Sequence, residues 1–214
     1  MIDCAKMMHI HRMNELHEAF IAHLNLHDPN LAHIAKKQGP ISIDEPANHF
    51  HALCRAIVGQ QLSTKAAATI YGRLNDWANE QNGLSPELIL SSDPIQIRQL
   101  GLSHQKNSYL IALSQAWIEQ KTEFADLDSL ENEAILNLLC SIKGIGSWTA
   151  QMFLIFTLHR SDVFAPNDLG IKKAMEKIYD FTMASNEKSR EEFALKWSPY
   201  RSLACLHLWK SLEE

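Results

Sequence analysis

The 214-residue chain has only four cysteines, Cys4, Cys54, Cys140 and Cys205, and no two of them form a Cys-x-x-Cys pair. This argues against a zinc ribbon or an iron–sulfur cluster, both of which need clustered thiolates. Long apolar runs are also missing, and no apolar stretch approaches the ~20 residues that a membrane helix requires. The N-terminal segment lacks the charged-then-apolar order of a signal peptide. We therefore expect buried, reduced thiols and a protein that works inside the cell.

An excess of positive charge is absent too, since 20 Lys and Arg residues stand against 25 Asp and Glu residues, for a formal net charge of −5. Proteins that hold nucleic acid non-specifically are usually basic. The balance therefore counts against that class without excluding a small basic face. Residues 172–210 carry a slight excess of Lys and Arg over acids, and we expect most of these cations to form an ordinary solvated surface.

Segments that alternate apolar and polar residues are also lacking, so we predict an all-α fold with few strands. Apolar residues at helical spacing predict helices around 50–58, 67–74, 110–117, 150–157, 171–178, 190–197 and 199–212. The segment Ser42–His49 is the predicted seam between an N-terminal arm and the central helices.

Short polar residues and glycine mark the expected helix ends. Asp128 with Glu131 resembles a capping box for a helix that runs through Leu138. The other predicted boundaries are Asp93-Pro94 and Ser103 as starts, Gly101 as an end, and Ser147 as an N-cap.

The most informative segment runs from Leu139 to Ala150, where one helix ends and another begins across a turn that contains Gly144 and Gly146. Glycine permits positive φ and close approach of another backbone. The N–H groups at a helix start favour an anion such as a phosphate. From the glycine pair alone, a plain helix–turn–helix without a functional role is about as good an interpretation as a phosphate-binding turn. A nucleotide-binding glycine loop would need a preceding strand and usually a third glycine, and both are missing.

This turn and the loop at 162–168 form one motif, three further segments give it a context, and together the four motifs resemble the helix-hairpin-helix DNA glycosylase superfamily. Residues 162–168 (DVFAPND) resemble its Gly/Pro-rich loop and aspartate, although this loop has one proline and no glycine. Residues 51–67, 100–106 and 197–204 are similar to the alkyl-purine branch, the 3-methyladenine DNA glycosylase II group. The likeness covers about residues 29–210 and matches a short form without the extra N-terminal domain of the larger member.

The resemblance implies two helical lobes that flank a cleft. The expected central lobe spans 45–160, with the helix-hairpin-helix at 136–158, and the second lobe combines 1–44 with 161–214. The resemblance also implies a location that depends on the source. We expect the cytoplasm, in association with the nucleoid, if the source is a bacterium, and the nucleus if it is a eukaryote. We expect a monomer.

Asp168 matches the catalytic aspartate of this family. Breaking an N-glycosidic bond builds positive charge on the sugar, which a fixed carboxylate stabilises while it orients the attacking water. Without the resemblance, a simple N-cap is the better interpretation of Asp168, and one residue can do both. Trp148 stands where bifunctional relatives carry a nucleophilic lysine. Because tryptophan cannot form a Schiff base, simple hydrolysis is expected.

Other residues take their expected roles from the same resemblance. Gln61 and Leu62 occupy the turn that plugs the gap left by a flipped base, although Leu62 could equally be a core leucine. The hairpin residues expected at the DNA backbone are Gly144, Gly146, Ser147 and Thr149, with possible contacts from His51 and Lys143. The expected base pocket is lined by Trp148, Met152, Leu169 and Trp209.

The two pocket tryptophans suit a cationic alkylated purine by cation–π contact, but both could instead be core aromatics. Met152 and Leu169 stand where the larger member has tyrosines, so stacking on the base is expected to differ. No cofactor is expected to be required. The family can hold a sodium or potassium ion on hairpin carbonyls, here those of Cys140, Ile142 and Ile145. The eleven histidines form no fuller metal motif.

The expected function is therefore a monofunctional glycosylase of base excision repair that acts on alkylated purines in duplex DNA and leaves an abasic site. Two alternatives stay open. One is a non-catalytic hairpin module that grips DNA, which leaves Asp168 and Gln61 without a purpose. The other is a glycosylase for deaminated or mispaired bases.

Overall fold

The computed structural model describes residues 4–43, 48–179, 181–182 and 185–213, with side chains from Met13 onward. The described residues form helices and turns and contain no β-strand, which confirms the predicted all-α class. In chain order the helices are α1 Cys4–His27, α2 Pro29–Gln38, α3 His49–Gly59, α4 Thr64–Asn79, α5 Pro86–Ser91, α6 Pro94–Gln99, α7 His104–Glu119, α8 Lys121–Ala125, α9 Asn132–Cys140, α10 Ser147–Phe156, α11 Leu169–Tyr179, α12 Glu187–Ala194, a 3₁₀ helix Leu195–Trp197, and α13 Arg201–Lys210.

The chain divides into two compact units. The central unit is Glu45–Leu158, and the other combines the two ends of the chain, Met1–Asp44 and His159–Glu214. Half of the predicted seam between arm and central helices, residues 44–47, lies outside the described residues. In the part of the chain that the structure describes, no helix is both long and apolar enough to cross a bilayer.

The central unit is built on helices whose apolar faces follow the sequence pattern. α3 packs on α4 and α7, α5 packs on α7, and α9 packs on α10. The predicted starts at Asp93 and Ser103 are correct, because both side chains accept a hydrogen bond from a first-turn N–H. Gly101 has φ +107, a conformation that ends the short α6 segment. The fully buried side chains of this unit include Leu53, Ile57, Leu74, Ile89, Leu110 and Leu113.

Several predicted boundaries are wrong. Asp128 does not cap a helix, because α9 begins only at Asn132 and its N-cap Glu131 makes no side-chain cap hydrogen bond. Ser147 is the first residue of α10 rather than its cap, a position that Gly146 occupies. Near the C-terminus the predicted helix 190–197 is α12 followed by the 3₁₀ helix, and the last helix begins at Arg201 instead of Pro199.

The unit made from the chain ends has a buried aspartate at its centre. Asp28 caps α2 by accepting from the Leu31 N–H at 3.1 Å. Its other oxygen accepts from Trp197 Nε1 and from the Tyr179 hydroxyl, both at 2.7 Å, and lies 3.0 Å from Lys196 Nζ. Burial opposes the charge, but these donors outweigh it and hold the pKa of Asp28 below its usual value.

An apolar cluster surrounds this network and joins the two chain ends. Phe20, Leu24 and Leu31 from the N-terminal helices pack with Trp197 and Leu208 from the C-terminal segment. α13 packs on both α2 and α11. Since each end buries its apolar face against the other, neither end forms this core alone.

The cysteines only partly match the expectation of buried thiols. Cys54 and Cys205 are buried, and burial raises the pKa of both thiols. Cys140 is exposed, which corrects the prediction for that residue. The Cys4 side chain lies outside the described residues.

Candidate active site

The candidate residues fall into two groups, one in each unit. The first is the hairpin between α9 and α10. The side chains of Ile142 and Ile145 anchor its turn in the core, each 4% exposed, and the Ile145 N–H donates to the Ile142 carbonyl at 3.0 Å. Lys143 points into solvent from the same turn. Because Ile142 and Ile145 fix the turn to the core, its solvent-facing side has a defined conformation.

The two hairpin glycines are glycine for different reasons. Gly144 has φ +96, and a Cβ built on it would overlap the Tyr109 ring. The fold of this chain therefore requires glycine at Gly144. Gly146 has φ −97, and a Cβ there would meet nothing within 4 Å. No contact within the described chain requires glycine at Gly146. The close approach of another molecule's backbone would require it.

The start of α10 carries no side-chain cap. Ser147 and Trp148 are exposed, and Thr149 is 4% exposed. The buried Thr149 hydroxyl lies 3.5 Å from Gln60 Nε2, so any contact of Thr149 with an outside group falls to its backbone. An uncapped helix start of this kind is a favourable place for an anion.

A glutamine outside the predicted set connects the hairpin to the turn after α3. Gln60 Nε2 donates to the Gly144 carbonyl at 2.9 Å, across 84 residues of sequence. The next residue, Gln61, has φ +58, and Leu62 is 39% exposed. Leu62 is therefore not a core leucine, and the turn that carries it is fixed to the hairpin.

One predicted DNA contact in this unit, His51, has a partner within the chain, and two predicted pocket residues, Trp148 and Met152, differ in exposure. The ring of His51 hydrogen-bonds the Leu84 carbonyl at 2.9 Å through Nε2. Trp148 is 45% exposed, while Met152 on the next turn of α10 is half-buried. Trp148 is thus not a core aromatic.

The second group surrounds Asp168, immediately before α11. Asp168 Oδ1 accepts from the Ile171 N–H at 2.9 Å, which makes it an N-cap. The same oxygen accepts from Trp209 Nε1 at 2.7 Å. Two donors from different helices fix the carboxylate in one orientation. Leu169, beside it, is 57% exposed.

Gly170 is a further residue of this group that the motif comparison did not single out. A Cβ on Gly170 would lie 2.7 Å from Trp209 Cδ1 and 3.0 Å from Asp168 Oδ1. The indole can reach the carboxylate because residue 170 has no side chain.

We expect Gly170→Ala to move the Trp209 ring or the Asp168 carboxylate and to lower base release by roughly 10²-fold, since displacements near 1 Å have effects of that size. Release kinetics and indole fluorescence would measure it. Gly72→Ala in α4 is the matched control, because a Cβ there meets nothing within 4 Å. Full activity in Gly170→Ala would show that the indole–carboxylate contact is dispensable.

The loop that leads to Asp168 is held at its start by an ion pair. Arg201 donates to Asp162 from Nε at 2.7 Å and from a terminal nitrogen at 2.9 Å, and Ser198 Oγ donates at 2.9 Å. Partial burial opposes the charge, but these hydrogen bonds hold the pKa of Asp162 below its usual value. Both partners come from the segment 197–204, so this segment positions the start of the loop.

No group of three or more His, Cys, Asp or Glu side chains that could hold a metal ion occurs in the described portion of the chain. The rings of His23 and His27 are neighbours, with centroids 4.4 Å apart. Burial lowers the pKa of His207 to about 3.

Comparisons with known proteins identify the family of this chain. Residues 54–199 match the family described as HhH-GPD superfamily base excision DNA repair protein. DNA-3-methyladenine glycosylase 1 of Schizosaccharomyces pombe is 31% identical over 193 residues, which cover 88% of this chain and 85% of that protein.

Two solved structures are similar to most of this chain. A DNA-3-methyladenine glycosidase from Bacillus halodurans has a TM-score of 0.77 and 31% identity, covering 88% of this chain and 86% of that one. A 3-methyladenine DNA glycosylase of Schizosaccharomyces pombe in complex with abasic DNA has a TM-score of 0.80 and 29% identity, covering 92% and 97%. The predicted family and the predicted enzyme class, a DNA glycosylase, are confirmed. This chain belongs to the HhH-GPD superfamily of base excision DNA repair proteins.

Proposed function

We propose that this chain hydrolyses the N-glycosidic bond of alkylated purines in duplex DNA, of the 3-methyladenine and 7-methylguanine type, and leaves an abasic site. The observation that carries the proposal is the doubly hydrogen-bonded Asp168 carboxylate in a chain whose hairpin offers Trp148 in place of a nucleophilic lysine. The relatives named as 3-methyladenine glycosylases support the substrate class.

Asp168 acts on the sugar. As the glycosidic bond lengthens, positive charge develops on the ring, and a carboxylate held by Trp209 and Ile171 stabilises it without reorganising. The same group orients the water that attacks the anomeric carbon. Alkylation at a ring nitrogen makes the purine cationic and a good leaving group, so a general acid on the base is not needed.

Aromatic side chains recognise the base. The exposed face of Trp148 attracts a cationic purine by cation–π contact, and Trp209 adds a second indole, held by its hydrogen bond to Asp168. Met152 and Leu169 contribute apolar, non-aromatic contacts. We therefore expect cationic lesions to be released faster than neutral ones such as hypoxanthine.

The hairpin grips the DNA backbone. Gly146 and the start of α10 accept a phosphate, because no Cβ blocks the approach and the helix start attracts an anion. Exposed Lys143 adds attraction to the backbone. His51, whose ring nitrogen is engaged by Leu84, has a minor part.

We also propose that a sodium or potassium ion binds to the carbonyls of Cys140, Ile142 and Ile145. The Ile142 carbonyl already accepts the Ile145 N–H, but a carbonyl oxygen has two lone pairs. Such an ion would rigidify the turn and take no part in the hydrolysis. Because one chain carries the hairpin and the aspartate, we expect the monomer to be active.

Gln61 and Leu62 fill the space that the flipped base leaves. We expect Leu62→Ala to slow base release by roughly tenfold, since it loses the apolar contact that keeps the base out of the stack. Its melting temperature should stay close to the wild type, because Leu62 is exposed. Leu90→Ala, which changes a leucine of nearly the same exposure (38%) on α5, is the control. Equal slowing of both variants would contradict a wedge at Leu62.

The decisive experiment follows release of labelled bases from duplexes that carry 3-methyladenine, 7-methylguanine, hypoxanthine or a mismatch. We expect release of the methylated purines with no strand cleavage before alkali treatment. Binding without release from any duplex would refute the enzyme and support the non-catalytic module. Release confined to mismatches or deaminated bases would refute the alkyl-purine assignment.

A further inference from the structure

Arg190 is a buried cation that the proposed chemistry does not use. It lies on α12 and is 3% exposed. Its Nε donates to the Pro166 carbonyl at 2.7 Å, and one terminal nitrogen donates to Asn167 Oδ1 at 3.4 Å. The other terminal nitrogen donates to the Ser185 carbonyl. Two of these three acceptors belong to the residues immediately before Asp168.

Burying a guanidinium is unfavourable unless its donors are satisfied, and an apolar side chain would serve helix packing as well. The other charged pair on α12 behaves differently. Lys188 and Glu192 are 83% and 63% exposed and lie 3.9 Å apart. The contrast indicates that Arg190 is buried because its N–H groups hold the end of the loop, residues 166–167.

This part of the loop is a turn that the Asp168 N–H closes by donating to the Ala165 carbonyl at 3.1 Å, and Arg190 adds contacts from outside the turn. It lies between the buried segment Val163–Ala165 and the first turn of α11, and Pro166 has no N–H to donate. The Asp162–Arg201 pair holds the other end of the loop, six residues before Asp168. The planar guanidinium reaches a carbonyl and a side-chain amide at once, which an ammonium cannot do with the same geometry.

We propose that Arg190 is a positioning residue for the Asp168 carboxylate. Trp209 and Ile171 orient the carboxylate oxygen, and Arg190 sets the backbone from which that side chain departs. Arg190 thereby controls the rate of bond cleavage rather than DNA affinity. This inference rests on the proposed function of Asp168.

The test compares single-turnover base release at saturating enzyme with affinity for a duplex that contains a non-cleavable abasic analogue. The substrate is duplex DNA with one 7-methylguanine. For Arg190→Met we expect a rate constant lower by about 10- to 100-fold, the size of effect that a misplacement of up to 1 Å produces. Affinity for the abasic analogue should be unchanged. Titration with that analogue also gives the fraction of folded enzyme, to which each rate is normalised.

Three companion variants separate positioning from general stability. Arg190→Lys should recover part of the rate, because an ammonium can still donate to the Pro166 carbonyl. Asn167→Ala removes only the 3.4 Å contact and should slow release less than Arg190→Met. Lys188→Met, a matched loss of charge on the exposed face of α12, should match the wild type.

Three results of these experiments would overturn the inference. A folded Arg190→Met with the wild-type rate constant would overturn the inference. If Arg190→Met does not fold, Arg190→Lys and Asn167→Ala decide, and wild-type rates in both would overturn it as well. If the wild type itself releases no base, the proposed function fails and this inference fails with it. If the wild type releases the base, the rate constants of the Arg190 and Asn167 variants alone decide whether Arg190 positions Asp168.

Discussion

Asp168→Asn is expected to lower the rate of methylated-purine release by roughly 10³-fold, the upper range for removal of one preorganised electrostatic contact, while duplex affinity stays near the wild-type value. Asparagine keeps an oxygen that can accept from Trp209 Nε1 and from the Ile171 N–H, as Asp168 Oδ1 does. The substitution therefore removes the negative charge and little of the cap. Single-turnover release and binding to an abasic-analogue duplex would measure the two effects.

Asp93→Asn is the matched control for this experiment. Asp93 caps α6 through Oδ1, which accepts from the Ile95 N–H at 2.9 Å, and it has no place in the proposed chemistry. We expect that variant to release bases at the wild-type rate. If Asp168→Asn did the same, Asp168 would be only an N-cap.

Gly144→Ala is expected to lower the free energy of unfolding by roughly 3 kcal/mol, combining left-handed backbone strain with overpacking. The backbone has φ +96, and the new methyl would overlap the Tyr109 ring. Denaturant unfolding would measure the loss. Gly83→Ala separates the two causes, because Gly83 has φ +104 and open space around its Cβ position. That variant should lose only the backbone part, about 1 kcal/mol.

Gly146→Ala is the functional counterpart of that substitution. With φ −97 and nothing within 4 Å of its Cβ position, it should unfold like the wild type. Its affinity for duplex DNA should fall by roughly 10-fold or more, since a methyl would stand where a phosphate contact worth about 1.5–3 kcal/mol is expected. Unchanged affinity would remove Gly146 from the proposed backbone contact.

The sequence was sufficient for the features that local pattern encodes. Apolar spacing located most helices, and the glycine turn and the aspartate at 168 were identifiable because four ordered motifs occur together. The helix caps at Asp128 and Ser147 were wrong because several polar residues near each start can cap, and packing decides where the first turn begins.

Contacts between distant segments could not be obtained in this way. Gly170 looks unremarkable beside Asp168 until the indole of Trp209, 39 residues later, is in contact with it. Arg190 resembles its charged neighbours, and only its 24-residue reach to Pro166 separates it from them. The exposure of Leu62 likewise depends on what packs around it, as does that of Cys140.

The buried Asp28 network has a consequence for how the protein is made. Asp28 and its partner Trp197 are separated by 169 residues. At a synthesis rate of about 5–20 residues per second, the N-terminal helices wait roughly 10–30 s on the ribosome before that partner emerges. The central unit is complete earlier and can fold during this interval. Throughout it, the apolar side chains of Phe20, Leu24 and Leu31 have no C-terminal partner, and transiently exposed apolar surface of this kind makes a chain prone to aggregation.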